Sequence, residues 1–283
     1  MLTSAGEIAY DARGSGPAVV LLPSGAHRRR DYDELRDLLP ECFRSIGVDW
    51  PAHGESAAGS GAADEPALTR MVEEILDQLA PEGAVLVGNS IGGNVAARLA
   101  IRRPALVRGL MLIDGGGFEA SRLPSRVFCA LMSRPWFVRL VYPGFSWWYM
   151  RSRTGADHRA RADAIATTRT AAGRKAVARM WRSFMLPEHD LRGRAGQITA
   201  PTVVVWGRRD PVLPLEAAGT AHDLIPGSRL VVLDSGHSPH TSDPEAVAAQ
   251  LVALLDAAFP AAMPGSPIEP ASAGGEDDCP DTR

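Results

Sequence analysis

The sequence is short of the residues that mark several protein classes. Lysine occurs once, at Lys175, and the formal net charge is only -3 over 283 residues. No basic surface for nucleic acid is therefore expected. The three cysteines, Cys42, Cys129 and Cys279, are odd in number and far apart, which argues against a disulfide framework and gives no metal-site spacing. We expect neither a metal nor a cofactor.

Long apolar runs are also missing. No stretch approaches the roughly 18 residues of a membrane helix. Residues 1–7 carry neither the basic nor the apolar part of a signal peptide. The sequence therefore predicts a cytoplasmic protein with no membrane partner. It predicts nothing about the oligomeric state.

Short apolar runs alternate with helical patterns in the first part of the chain. Residues 19–22, 84–87 and 110–113 are unbroken apolar sequence, as is typical of strands buried on both faces. Residues 44–48 are also predicted to be a strand, and residues 66–79 have an apolar helical face. This alternation predicts an α/β fold with a mostly parallel, doubly wound sheet.

Residues 118–194 interrupt the alternation. They contain no convincing buried strand and are rich in arginine, alanine and aromatic residues, with one long helical run over residues 159–184. Strand patterns return at residues 202–206 and 230–233, whereas the C-terminal segment is rich in proline, glycine, serine and acidic residues. We therefore predict an α/β core of residues 1–117 and 195–259, an inserted helical cap of residues 118–194, and a disordered tail of residues 260–283.

A glycine-flanked serine follows the predicted strand at residues 84–87. Gly88, Ser90 and Gly92 fit the pattern G-x-S-x-G, with a predicted helix after it. A nucleophile on so sharp a strand-to-helix turn needs small neighbours, and the helix N-terminus favours developing negative charge. Ser90 is therefore the candidate nucleophile. The alternative is that Ser90 is only a glycine-flanked serine in an ordinary strand-to-helix turn.

A serine hydroxyl needs a base, and the base needs an acid to orient it. Among seven histidines, His237 lies in the loop after the last predicted strand and is the candidate base, with His240 as its rival. Asp210 follows the preceding strand and is the candidate acid. Asp114 also follows a strand and remains an alternative. The order Ser, Asp, His is the one found in α/β-hydrolases.

Together these segments resemble the α/β-hydrolase fold superfamily, in its branch with a serine nucleophile and a helical cap. The resemblance covers roughly residues 5–258. It implies a loop-bracing role for His53 and an oxyanion hole formed by the backbone N–H groups of Ile91 and Ala26. The family usually has His-Gly where this chain has Ser24-Gly25. The motifs are Leu21-Leu22-Pro23-Ser24-Gly25, Asp49-Trp50-Pro51-Ala52-His53-Gly54-Glu55-Ser56, the Ser90 turn, and the Asp210 and His237 loops.

Five further residues are candidates for the pocket. His27 follows the oxyanion loop and Asn89 precedes the nucleophile, while Trp136, Trp147 and Trp148 belong to an aromatic cluster in the cap. Each has a plainer alternative role, in loop bracing or in packing the cap on the core.

These features predict a serine hydrolase that cleaves a small or medium apolar ester, lactone or related acyl compound through an acyl-enzyme. Epoxide hydrolases and haloalkane dehalogenases of this fold have an aspartate where Ser90 stands, so the resemblance argues against them. The alternatives are a carbon–carbon bond hydrolase of dienoate-type ring-cleavage products and a cofactor-free peroxidase or perhydrolase. A non-hydrolytic lyase, cyclase or ligand binder on the same scaffold is the alternative from another class.

Overall fold

The structure is a computed structural model that describes residues 1–59 and 63–260. The predicted disordered tail, residues 260–283, lies outside the described residues except for Pro260.

Seven strands form one central sheet in the order β3-β5-β4-β6-β7-β8-β9. All neighbours in this sheet pair in parallel except β3 and β5, which are antiparallel. A separate antiparallel ribbon joins β1 to β2. The predicted mostly parallel α/β sheet is confirmed. The strands are β1 (Leu2–Thr3), β2 (Gly6–Glu7), β3 (Tyr10–Arg13), β4 (Ala18–Leu22), β5 (Arg44–Val48), β6 (Ala84–Asn89), β7 (Val107–Ile113), β8 (Thr202–Gly207) and β9 (Arg229–Leu233).

Helices cover both faces of the sheet. Alternate residues of one strand point to opposite layers, so in β4 Val20 and Leu22 belong to one apolar cluster while Val19 and Leu21 belong to another. The first cluster includes α2, α3 and α8, and the second includes α1 and α10. The helices are α1 (Asp33–Asp37), α2 (Glu65–Leu79), α3 (Ile91–Arg102), α4 (Leu123–Met132), α5 (Pro135–Met150), α6 (Gly155–Arg169), α7 (Ala171–Ser183), α8 (Leu215–Leu224), α9 (Pro239–Ser242) and α10 (Pro244–Ala258).

The described chain between β7 and β8 contains helices and loops but no strand. Four helices, α4 to α7, share their own apolar cluster. The predicted run of residues 159–184 is two helices, because Thr170 has extended backbone (φ -76°, ψ 151°) and its side chain accepts a hydrogen bond from the Gly173 N–H to cap α7. The cap limits at residues 118 and 194 stay a prediction.

Candidate active site

Ser90 lies at the sharp turn between β6 and α3. Its backbone has φ 56° and ψ -116°, a conformation that an L-residue keeps only when its surroundings impose it. A Cβ at Gly92 would lie 2.2 Å from the carbonyl oxygen of Leu22, and a Cβ at Gly88 would lie 2.3 Å from that of Gly92. Only glycine therefore fits at positions 88 and 92, two residues before and two residues after Ser90.

Hydrogen bonds hold this turn against the end of β7. The Ser90 N–H donates to the Ile113 carbonyl and the Gly116 N–H donates to the Ser90 carbonyl, both at 3.0 Å. The buried Asn89 amide donates to the Ile113 carbonyl at 2.9 Å and to the His237 carbonyl at 3.0 Å. Asn89 thus joins the serine turn to the histidine loop and is not among the residues that line the cavity described below.

His237 and Asp210 form a buried hydrogen-bonded pair. Asp210 Oδ2 lies 2.6 Å from His237 Nδ1, and its other oxygen accepts the backbone N–H groups of Val212 at 2.8 Å and Leu213 at 3.2 Å. These donors fix the orientation of the carboxylate. The Asp210 carboxylate accepts the Nδ1–H of the imidazole, so Nε2 is the ring nitrogen left to accept a proton.

Asp114, the alternative acid, lies beside this pair but in a different state. Single ligand atoms of Asp114, Asp210 and His237 all fall within 4.8 Å of one another. The Asp114 carboxyl accepts the Gly207 N–H at 3.0 Å. Burial, and then the charge of Asp210, raise the pKa of Asp114 well above its usual value. The raised pKa favours the neutral form of Asp114, which lies next to the acid that is in contact with the histidine.

Ser90, Ile91 and His237 line one cavity of about 870 Å³. A cavity of this size suits a small organic substrate. Much of its wall comes from apolar side chains of the cap, including Phe128, Val141, Phe145, Trp148, Met180, Trp181 and Phe184.

Only one of the three candidate tryptophans lines the cavity. Trp148 does so, whereas Trp136 and Trp147 are 64% and 65% exposed and lie elsewhere. The buried α5 side chains that line the cavity, Tyr142, Phe145 and Tyr149, follow helical spacing. The prediction of Trp136 and Trp147 as pocket residues is not supported, because they lie on the opposite face of the same helix.

His27 does not line the cavity itself but contacts Tyr149, which does. The buried His27 ring is hydrogen-bonded to Asp31 through Nδ1, and its Nε2 lies 2.6 Å from the Tyr149 hydroxyl. That hydroxyl lies 3.0 Å from the hydroxyl of Tyr142, and the Tyr149 ring packs edge-on against His237 with centroids 5.5 Å apart. Burial raises the pKa of Tyr149 well above its usual value, so this phenol keeps its proton beside the candidate base.

The structure does not support Ala26 as an oxyanion donor. Its N–H donates to His53 Nε2 at 3.2 Å. His53 Nδ1 in turn donates to the Pro51 carbonyl at 2.9 Å, and burial lowers the pKa of His53 to about 4, so the neutral ring keeps accepting at Nε2. Gly25, which lines the cavity, replaces Ala26 as the candidate donor. Ile91 remains the other candidate, because it opens α3 and lines the cavity.

The rival histidine, His240, lies away from the cavity. Its ring stacks on Tyr32 with centroids 4.5 Å apart, and burial lowers its pKa to about 3. A buried imidazole that stays neutral and does not line the cavity is suited to packing, not to proton transfer with a bound substrate.

An ionic cluster of one buried and two half-buried residues at the cavity wall was not predicted from the sequence. His189 Nδ1 lies 2.7 Å from Glu65 and its Nε2 lies 2.6 Å from Glu119. Burial alone lowers the pKa of His189, but the two carboxylates outweigh it and raise the value to about 10. The cluster ties α2 of the core to the segments on both sides of the cap helices. Its three members are far apart in the chain and have no motif spacing, so no local signal identifies them.

The pKa of His189 predicts a pH effect on stability. A folded-state pKa of about 10, against an ordinary value of 6.5, means that the protonated ring stabilises the fold fully below about pH 6.5. This contribution is lost as the pH rises through about 10. We expect the melting temperature of the protein to fall between these pH values, and to fall less in the His189→Gln variant. Differential scanning calorimetry measures both, and equal pH slopes would contradict the account.

Comparison with known proteins agrees with this architecture. The model of the alpha/beta hydrolase family matches residues 19–250. An uncharacterised protein of Mycobacterium tuberculosis is 30% identical over 255 residues, which cover 83% of this chain and 74% of that protein. The pimeloyl-[acyl-carrier protein] methyl ester esterase of Nitrosomonas europaea is 29% identical over 264 residues, which cover 88% of this chain and 98% of that protein.

Solved structures give the same result. A hydrolase from Pseudomonas aeruginosa has a TM-score of 0.78 at 25% identity, covering 90% of this chain and 97% of that one. A thermophilic esterase from Thermogutta terrifontis has a TM-score of 0.77 at 23% identity. The match covers 89% of this chain and 93% of the esterase chain. With the sheet order and the serine turn described above, these matches establish that the chain belongs to the α/β-hydrolase family.

Proposed function

We propose that the protein is a serine hydrolase of apolar carboxylic esters and lactones. The observation that carries the proposal is that Ser90 and His237 line one cavity, while His237 is hydrogen-bonded to Asp210 at 2.6 Å. These are the three parts that acyl transfer to a hydroxyl requires: a nucleophile, a base and an acid that fixes the tautomer of the base.

In the proposed reaction, Ser90 Oγ attacks the ester carbonyl while His237 Nε2 takes the hydroxyl proton. Asp210 orients the ring and stabilises the imidazolium. The oxyanion accepts hydrogen bonds from the backbone N–H groups of Ile91 and Gly25, each worth about 3 kcal/mol in a water-excluded site. Collapse of the intermediate expels the alcohol, which receives the proton from His237. Water, deprotonated by His237, then releases the acid and restores Ser90.

The cap favours an apolar acyl chain of medium length. Aromatic and aliphatic cap residues form much of the cavity wall, and burying apolar surface supplies binding energy in proportion to its area. The esterase of Nitrosomonas europaea, similar over 88% of this chain, is named for the methyl ester of a pimeloyl group. We therefore extend the proposal to medium-chain acyl esters with small alcohol groups.

A chain-length series of p-nitrophenyl esters tests this proposal. We expect kcat/KM to rise from acetate towards octanoate, by up to about fourfold for each methylene buried, which corresponds to about 0.8 kcal/mol. Release of p-nitrophenolate measures the rate. The Phe145→Ala variant, which removes an inward-facing aromatic ring, should flatten the series, while Leu224→Ala on the exposed surface of α8 should not.

Two results would contradict the proposal. One is hydrolysis no faster than the uncatalysed reaction for every ester and lactone in the panel. The other is a clear preference for dienoate substrates cleaved at a carbon–carbon bond, followed by loss of their absorbance, which would favour the alternative reaction on the same residues.

A further inference from the structure

The cap carries two rows of exposed apolar side chains. Residues four apart on α4 and residues at helical spacing on α5 each share one face of their helix, and α4 and α5 contact each other. These side chains are between 40% and 74% exposed. Apolar residues scattered singly on a surface are normal, but rows of them mark an interaction site. We call this set the exposed cap face: Leu123, Val127, Leu131, Trp136, Leu140 and Trp147.

The same segment is strongly basic. Residues 120–156 contain six arginines and no lysine or acidic residue, although the whole chain has a net charge of -3. Within the described residues only one of the six, Arg153, has an ion pair, with Asp234 at 3.4 Å. The arginines are Arg122, Arg126, Arg134, Arg139, Arg151 and Arg153. The exposed cap face is therefore an apolar surface in a basic segment.

We propose that the exposed cap face binds the surface of an anionic lipid bilayer. Helices that lie in a membrane interface are typically rich in tryptophan and leucine, with arginine beside them. Anionic lipids attract such arginines, and each adds to the binding. A second copy of the chain fits less well, because a twofold contact would place arginines against arginines with no acidic residue of this segment between them.

The cavity reaches the surface beside this face. Pro124, Ser125 and Arg126 of α4 line the cavity although they are exposed, and so does Trp148 of α5, which is 41% exposed. A protein docked by α4 and α5 would hold the cavity mouth against the lipid. The substrate class that this orientation selects is an ester partitioned into the bilayer. This statement about substrate rests on the proposed function, whereas the binding itself does not.

Surface binding of this kind needs no spanning segment. Among the described residues, no helix is both long and apolar enough to cross a bilayer. The expectation of no membrane partner rested on the absence of a spanning run and of an overall basic charge. A face that binds the bilayer surface depends instead on how a few apolar and basic residues are distributed over two helices. The net charge of the whole chain and the length of its apolar runs do not show that distribution.

Vesicle flotation with the full-length Ser90→Ala protein tests the proposal without turnover. We expect binding to phosphatidylcholine vesicles containing about 30% phosphatidylglycerol, and at least tenfold weaker binding to pure phosphatidylcholine or in about 0.5 M salt. The triple variant Trp136→Ser, Leu140→Ser, Trp147→Ser should lose at least tenfold in partitioning. The matched control, Leu215→Ser with Leu224→Ser, changes exposed apolar residues of α8 and should bind as before.

The contribution of the arginines to vesicle binding is tested with separate variants. Arg134→Gln with Arg139→Gln should weaken binding to anionic vesicles, while Arg70→Gln on α2 should not. None of the substituted residues lines the cavity, so hydrolysis of soluble p-nitrophenyl esters should be unchanged in these variants on a Ser90 background. Vesicle binding without esterase activity would overturn the proposed function alone.

Three results would overturn the interfacial proposal. The first is absence of binding to both kinds of vesicle, and the second is equal binding by the triple variant. The third is evidence that a second copy of the chain or another protein occupies the exposed cap face. Sedimentation equilibrium that finds a dimer lost in the triple variant would assign the face to a second copy, and binding to an acidic carrier protein without binding to vesicles would assign it to a protein partner.

Discussion

Replacing Ser90 by alanine should lower kcat for p-nitrophenyl octanoate by roughly 10⁴-fold or more, because the acyl-enzyme can no longer form. Alanine keeps the Cβ of serine, so the turn at φ 56° is no more strained than before. Melting temperature and circular dichroism should therefore match those of the wild type. The expected loss is one of chemistry and not of fold.

The matched control for this prediction is Ser121→Ala. Ser121 lines the same cavity but is exposed and lies in the cap, so its removal should change kcat less than about threefold, as is usual for surface substitutions. If Ser90→Ala kept activity comparable to that of Ser121→Ala, Ser90 would not be the nucleophile.

A second pair of substitutions, which we also expect to have a large effect on activity, distinguishes Asp210 from the neighbouring Asp114. Asp210→Asn should lower kcat by about 10³–10⁴-fold, because an amide facing His237 Nδ1 favours the wrong tautomer of the ring. Asp114→Asn should cost less than about tenfold. The raised pKa of Asp114 favours its neutral form, and an asparagine mimics a protonated carboxyl as both acceptor and donor.

Steady-state kinetics on the same ester, with both variants at equal concentration, measures this contrast. The two substitutions are chemically identical and lie in one cluster, so each is the control for the other. Equal losses in the two variants, or a larger loss in Asp114→Asn, would mean that the acid has been assigned to the wrong residue.

The fold and the serine turn were predictable because their signals are local. Buried strands read as short apolar runs, and β6 is followed at once by Gly88, Ser90 and Gly92. The close contacts of Gly88 and Gly92 with backbone atoms explain why that spacing predicts the turn. Asp210 and His237 were found because both follow strands, and the carboxyl ends of parallel strands meet at one edge of the sheet.

The wall of the cavity was harder to predict, because it depends on which way a helix faces. The segment of α5 is apolar on most of its circumference, so residue type did not distinguish its inner face from its outer face. The spacing of Tyr142, Phe145 and Tyr149 is the signal that was available, and it excludes Trp136 and Trp147. The break at Thr170 was also readable, since a threonine three residues before Gly173 suits a helix N-cap.

Contacts between distant segments that do not follow neighbouring strands had no signal in the sequence. The His189 cluster and the hydrogen bond from Ala26 to His53 each join residues more than 25 positions apart. Neither depends on spacing, and both are decided by how the loops pack. The oxyanion donor was therefore assigned to Ala26, which the family resemblance implies, whereas in the structure the Ala26 N–H is already donated to His53.

Labelling with a fluorophosphonate probe shows directly whether Ser90 is the nucleophile. We expect one probe per chain on the folded wild-type protein, located by peptide mass spectrometry on Ser90. The His237→Ala variant should label far more slowly, because the hydroxyl loses its base. Stoichiometric labelling of any other serine, or ester hydrolysis by a protein that takes no label, would contradict the assignment of Ser90 as the nucleophile.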